Sequence, residues 1–414
     1  MGRLFRDRDA RLYIGGQTLS TIGDSALWLA MGIWVKILTG SNSAAGLVFF
    51  FLVCGLTLSP LTGVLVDRVR RRPLAAGVSL VAAAAVCLLL LVHGRGQVWL
   101  IYAVMFGYGV FNSLLTSAQV ALLPSLVPAD LLGEANALLQ MGSQGLRIFT
   151  PLLGAGLLAW IGAAPVIILD AGTFVVAAGC LLALSLREQK PERTTASWWA
   201  ELTAGMRYSL GTPVLRRMLV TTVLALTVIG FMETIAFAIV SQGLHHRPVF
   251  LGVLEAIQAA GAIGGAVLVS MVMKRIGEVY TVAAALVMLG AGALLLTAGV
   301  LPAVVAGFVL LGASIVWANV GAITLMQRRT PPELMGRVDS ALTLASTGPQ
   351  AISIAVGAAL ITVVHYQALL IAIAVMMAVS CAYWLGGRSQ YGADGAAPDP
   401  AAGQEELVPS EASA

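Results

Sequence analysis

Five ionisable side chains stand inside stretches otherwise fit for lipid: Asp24, Arg147, Asp170, Glu233 and Glu255. A charge near the bilayer centre costs about 2.5–3.5 kcal/mol on insertion scales, so each needs a partner, a cavity or a task. Gln17, Thr21, Asp24 and Trp28 fall on one helical face, and a polar stripe on an apolar helix points to a water-filled interior. Gln140, Gln144 and Arg147 make a similar stripe later in the chain. Asp24 lies about 12 residues into its apolar run, roughly 18 Å deep at the helical rise, with Arg147 at nearly the same depth. An Asp24–Arg147 ion pair is expected. It is either a permanent neutralising pair or one in which Asp24 exchanges Arg147 for a proton or substrate.

Glu233 and Glu255 both come out roughly 8–9 Å below one membrane surface. They read as a proton entry site or as two separate residues reaching water. Asn112, Thr116 and Gln119 share a face of another apolar run, and Trp317 stands with Asn319 near mid-membrane. Membrane tryptophans prefer interfaces. Trp28 and Trp317 therefore read either as aromatic surface for a bulky amphipathic substrate or as packing. Proton coupling is assigned to Asp24, Arg147, Glu233 and Glu255. A substrate cavity is assigned to Gln17, Thr21, Trp28, Asn112, Thr116, Gln119, Trp317 and Asn319.

The elements that must position these groups follow from composition. The chain is 58% hydrophobic and 11% charged, with a mean hydropathy of +0.90. A soluble domain carries roughly 25% charged residues, and a bilayer span needs about 20 apolar ones. The expected fold is all-α and polytopic, with spans near 12–38, 44–66, 74–92, 98–123, 135–160, 163–186, 218–241, 249–273, 278–299, 302–326, 338–364 and 366–386. These give a cytoplasmic arm over 1–11, a six-helix bundle over 12–186, and a central loop over 187–217. A second bundle covers 218–386 and a disordered acidic tail covers 387–414. Within the loop, Ser197-Trp198-Trp199 and Met206-Arg207-Tyr208 read as an interfacial amphipathic helix. Cys54, Cys87, Cys180 and Cys381 lie in apolar runs and read as small core hydrophobes. The arginine-rich N-terminus leads into an uncleaved first span rather than a signal peptide.

Charge sets the orientation. With the N-terminus inside, every lysine and arginine except Lys36, Arg95, Arg247 and the intramembrane Arg147 falls on the cytoplasmic side. Both termini are then cytoplasmic, and His93, His245, His246 and His365 lie at outer ends. The net charge of +4 comes from these flanking arginines, which argues against a nucleic-acid partner.

The chain also repeats. Pro128-Ala-Asp-Leu-Leu-Gly133-Glu-Ala-Asn returns as Pro331-Pro-Glu-Leu-Met-Gly336-Arg-Val-Asp, 203 residues on. The same step carries Arg71-Arg72 onto Lys274-Arg275. An even number of spans per half makes the repeats parallel, the architecture of transporters that rock two bundles about a midplane site.

Residues 10–386 resemble a major facilitator superfamily transporter. Gly63-x-x-x-Asp67-Arg68-x-x-Arg71-Arg72 is similar to the superfamily's loop signature between spans two and three, with Arg70 where glycine is usual. The runs Leu38-Thr39-Gly40-Ser41, Leu169-Asp170-Ala171 and Gly336-Arg337-Val338 resemble the branch holding enterobactin exporters and macrolide-efflux proteins. The antiporter signature of span five is degenerate here as Thr150-Pro151-Leu-Leu-Gly154-Ala155. The resemblance implies that spans one, four, seven and ten line the cavity, and that span two faces span eleven. It also makes Asp170 an architectural position. Two cytoplasmic latches follow, Asp67–Arg337 and Glu134 with Lys274 or Arg275. They belong to a gate comprising Gly63, Asp67, Arg68, Arg71, Arg72, Glu134, Lys274, Arg275, Gly336 and Arg337.

Neither a phosphate-binding loop nor a nucleophile elbow or metalloprotease motif is present, so an ATP-driven pump and a membrane enzyme are both disfavoured. The expected function is a monomeric, proton-coupled exporter in a bacterial cell membrane. It would work without cofactor or metal on a drug-like, macrolide-like or siderophore-like metabolite. An importer or facilitator of the same fold, or a non-transporting receptor or assembly partner, are the alternatives.

Overall fold

The computed structural model describes residues 7–66, 68–127, 131–185, 198–331 and 334–387. The side chains of some helical residues, among them Glu134, Gln140, Gln144, Arg147 and Arg337, also lie outside the described part. The amino-terminal half contains α1 (Arg8–Thr39), α2 (Asn42–Leu56), α3 (Ser59–Val66), α4 (Arg71–Cys87), α5 (Val98–Leu126), α6 (Leu132–Ile161) and α7 (Ala163–Leu182). After α8 (Trp198–Gly211) come α9 (Pro213–Ala238), α10 (Leu251–Leu296), α11 (Leu301–Arg329), α12 (Met335–Leu360) and α13 (Tyr366–Leu385).

Among the described residues, 8 helices are long and apolar enough to cross a membrane. One of these, α10, contains a non-helical break at Gly277 and so supplies two passes. The α2–α3 pair, α6 and α12 complete the twelve expected spans.

Local sequence explains where the helices start and stop. Asp7 caps α1 by accepting from Asp9 N at 2.8 Å and Ala10 N at 3.3 Å. At the other end, Gly40 takes the left-handed conformation and its carbonyl accepts from Lys36 Nζ at 2.8 Å. Ser41 then caps α2 through Ala44 N at 3.2 Å. The Leu38-Thr39-Gly40-Ser41 turn thus ends one helix and starts the next within four residues. Val127 and Thr330 are both extended, the former preceding Pro128 and the latter Pro331, as a residue before proline prefers.

The repeat is visible in these boundaries. Val98–Leu126 maps onto Leu301–Arg329, and Ala163–Leu182 onto Tyr366–Leu385, by the same step of 203 at both ends. Leu132 and Met335, the first residues of α6 and α12, are separated by that step as well. The inter-half contacts obey the same symmetry: α2 packs on α12, and α6 on α10.

The outward surface is apolar, as lipid requires: Val120, Val267 and Val363 are 72%, 70% and 80% exposed. Trp99 and Trp160, at the start of α5 and the end of α6, are also exposed, at the level where tryptophan belts form. Cys381 is buried, whereas Cys87 is exposed on the outside of α4. The expected amphipathic segment is α8, which packs against α12 and α9.

Basic side chains cap two helix ends. Arg72 donates from Nε to Leu181 O at 2.8 Å and also to Leu182 O, both in the last turn of α7. Arg217 donates to Tyr383 O at 2.5 Å near the end of α13, with its guanidinium 4.8 Å from the Tyr383 ring centre. Cations complete the unpaired carbonyls at a helix C-terminus.

Candidate functional site

The two halves meet tightly on the face that carries Gly40, Gly162 and His245. Gly32 lies under Phe49 and Phe237, Gly46 against Thr234, and Gly252 against Ala155, each too close for a Cβ at the glycine. Ser241 donates to Asn42 Oδ1 at 3.3 Å across the same seam. The bundles are closed together on that side.

Beneath the seam lies a cavity with about 90 Å³ of water-accessible space, room for several waters. Trp28, Phe49, Met232, Glu233, Glu255, Gln258 and Phe308 line it, drawn from α1, α2, α9, α10 and α11. Glu233 and Glu255 therefore share one chamber. Trp28 packs on Phe49 with centroids 5.1 Å apart, and Phe49 stacks on Phe237 at 6.1 Å. Acidic groups and aromatic rings thus border the same cavity.

A second, smaller pocket lies inside the amino-terminal bundle. Tyr13, Gln17, Ser20, Ser79 and Gln119 line it, and Tyr13 donates to Gln119 O at 3.2 Å. Gln17 and Gln119 thus lie there rather than in the central chamber. On α1, Ser20 lines the inner pocket and Trp28 the central one, with Asp24 midway between them.

The remaining candidates are dispersed. Thr21 donates to Gln17 O at 3.0 Å along its own helix. Asn112 is half-buried, Thr116 is exposed, and Asn319 is exposed with its amide on Ile315 O at 2.9 Å. Trp317 donates its indole N–H to Gly265 O at 3.0 Å, which ties it to α10 inside the carboxy-terminal half. Gly63 lies half-exposed within α3, Arg68 is exposed, and Arg71 is half-buried at the start of α4. Lys274 and Arg275 are exposed just before Gly277. Asp67, the side chains of Arg147, Glu134 and Arg337, and the surroundings of Gly336 lie outside the described residues, and with them the expected latches and the Asp24–Arg147 pair.

Two groups were not singled out for the site by sequence reasoning. Tyr108 of α5 donates to Asp24 Oδ1 at 2.5 Å, and Asp170 of α7 stands 3.3 Å from the same phenol. The signal existed: Tyr108 precedes Asn112 by four residues and extends the stripe of Asn112 and Thr116 by one turn. A third omission is the Arg328–Glu278 ion pair at 3.2 Å, which joins α11 to α10 just past Gly277.

The arrangement of two six-span halves around a central cavity is that of membrane transporters. Residues 13–353 match the Major Facilitator Superfamily family model, and the chain belongs to that superfamily. It is similar to the uncharacterized MFS-type transporter YfiS of Bacillus subtilis (strain 168), 24% identical over 277 residues, a match that spans 63% of each chain. Among solved structures, a bacterial homologue of the iron transporter ferroportin in the inward-facing state superposes with a TM-score of 0.72. It is 16% identical, with 93% of this chain and 99% of that one covered. The nucleoside transporter NupG superposes at 0.73, 10% identical, over 91% of this chain and 98% of its own. These likenesses fix the fold.

Proposed function

We propose that the chain is a secondary active transporter that exports a drug-like, macrolide-like or siderophore-like metabolite in exchange for protons. The observation that carries this reading is the shared chamber. Two carboxylates, Glu233 and Glu255, stand beside Trp28, Phe49 and Phe308 at the junction of the two halves. Aromatic faces suit a bulky apolar substrate, and carboxylates facing water in a membrane interior suit proton exchange. The driving force is sufficient. One proton gains about 2.3 kcal/mol per 100 mV of potential, and about 1.4 kcal/mol per unit of pH difference.

In this reading both termini are cytoplasmic and the membrane is the cell membrane, the orientation that puts the basic loops inside. The ten gate residues on that side, Gly63 and Asp67 through Arg337, are assigned to an inner gate that opposes the closed seam. The protein acts as a monomer.

The test uses purified protein in liposomes under an imposed pH gradient, with ethidium, a macrolide and a catecholate siderophore as probes. Accumulation of a probe against its own gradient, lost with a protonophore and in Glu255→Gln, is expected. Equilibration that ignores the pH gradient would make the protein a facilitator, and failure to move any probe would favour a receptor.

A further inference from the structure

Apart from the central chamber, three polar side chains meet where α1, α5 and α7 touch. The Tyr108 hydroxyl lies 2.5 Å from Asp24 Oδ1 and 3.3 Å from Asp170 Oδ1. Asp170 is fully buried, and its Oδ2 has no hydrogen-bond partner. Gly23 permits this approach, because a Cβ there would stand 2.6 Å from Asp170 Oδ1 and 3.0 Å from its Cα.

Donor counting decides where hydrogen atoms sit. A phenol has one hydrogen to give, and an ionised carboxylate has none. The short contact to Asp24 takes the phenol's hydrogen. The contact between Tyr108 and Asp170 is then attractive only if Asp170 supplies a hydrogen of its own.

The surroundings agree. On α1 the facing group is Asp24, a like charge if Asp170 were ionised. On α5 it is Tyr108, a neutral phenol whose ring packs edge-on to Phe174 at 5.7 Å. Within α7, the Thr173 hydroxyl donates to the Asp170 backbone carbonyl at 2.8 Å and not to its carboxyl. The buried face of α4 carries Ala75, Ala76, Ser79, Ala82, Ala83 and Val86, none of them ionisable. Arg147 on α6 has its side chain outside the described residues. A buried carboxylate with an unpartnered oxygen is far costlier than the neutral acid.

We propose that Asp24, Tyr108 and Asp170 form a one-proton binding site, with the proton resting on Asp170 and Tyr108 as the relay to Asp24. In the transfer, the phenol's O–H breaks as its hydrogen bonds to Asp24 Oδ1. The O–H of Asp170 breaks as its hydrogen re-forms the phenol. Asp24 becomes the acid, Asp170 the carboxylate, and Tyr108 is unchanged. Asp24 is half-buried and lies on α1 between the two polar pockets, so the proton leaves to water there. Because α1 also carries Trp28 into the central chamber, substrate and proton act on one helix without touching. This role deepens the proton-coupled reading above and rests on it; the site itself does not.

Infrared spectroscopy of the full chain in lipid at neutral pH tests the site through the carbonyl stretch of a protonated carboxyl. A band is expected in the wild type, retained in Glu255→Gln and lost in Asp170→Asn. The asparagine keeps the shape and offers Tyr108 an amide donor. In Tyr108→Phe, which keeps the ring against Phe174, the band should remain but shift as its acceptor disappears. A wild type without the band, a band that survives Asp170→Asn, or one indifferent to Tyr108→Phe would overturn the proposal. Should Asp170→Asn not fold, the Tyr108→Phe shift still decides. Intact band responses in a protein that shows no proton-driven transport would support the site and sink the transport reading instead.

Discussion

Gly46 of α2 lies directly against the side chain of Thr234 of α9, and no methyl group fits between them. Thr234 is fully buried. The contact joins the two halves, so the absence of a Cβ at one residue sets how closely the bundles approach. At this contact, closure depends on shape.

Adding a side chain at Gly46 should therefore favour separation of the halves on that face. Overpacking costs about 1–3 kcal/mol, which shifts a two-state equilibrium by about 5–150-fold. Gly46→Val is expected to slow transport strongly and to expose the chamber from the face bearing His93 and His245. A cysteine at Met232→Cys, with the four native cysteines replaced by serine, would report this by faster reaction with an impermeant maleimide. Thr234→Ala in the same chain should restore part of the closure. Unchanged labelling in Gly46→Val would show that the seam tolerates the added bulk.

Arg72 supplies a second prediction. It reaches two carbonyls at the end of α7, whereas Arg68 in the same basic run is exposed. Arg72→Ala should destabilise the fold by about 1–2 kcal/mol, in the range of charged caps at helix ends. Arg68→Ala should stay within about 0.5 kcal/mol. Thermal unfolding in detergent, followed by helical circular dichroism, separates the two. Equal losses would mean that the run acts only through its collective charge.

The helices, their number and the internal repeat were legible because each rests on a local property. Apolar length marks a span, and the paired Pro128 and Pro331 junctions place α6 and α12 at their 203-residue step. Periodicity gave a polar face on α1 as a stripe. It did not reveal what stands opposite each residue, so Gln17 and Trp28 were grouped although they border different pockets. Tyr108 and Asp170 were harder still. Tyr108 looks ordinary in its own helix, Asp170 stands out only as a buried acid without a named partner, and the hydrogen bonds exist only because Gly23 lets α7 approach α1. The glycine contacts at the seam are invisible for the same reason, since their meaning lies in a neighbour about one to two hundred residues away.

Trp28 and Phe49 offer a test of the chamber's aromatic wall. Their rings are 5.1 Å apart and both border the cavity. Loss of one aromatic contact is worth about 0.5–1.5 kcal/mol, or about two- to tenfold in affinity. Trp28→Ala should raise KM for an aromatic probe by that factor with little change in kcat. Trp317→Ala, whose indole is tied to Gly265, should leave KM nearly unchanged. Equal effects on KM would place both rings in the substrate's path.

The turn between the two arms of α10 yields the last prediction. Gly277 has φ 78° and ψ 168°, a conformation accessible almost only to glycine. Here α10 reverses, with Lys274 and Arg275 before the turn and Glu278 paired to Arg328 after it. Gly277→Ala should cost about 1–3 kcal/mol through backbone strain, although the new methyl meets no atom within 4 Å. Gly264→Ala, in a regular stretch of the same helix with equally open space, should cost nothing measurable. Gly277→Asn should lose about as much as Gly277→Ala, because asparagine tolerates positive φ mainly in the left-handed α region and not at ψ 168°. Chemical unfolding in detergent reads all three. A Gly277→Ala protein as stable as the Gly264→Ala one would show that the reversal can be made with an ordinary backbone.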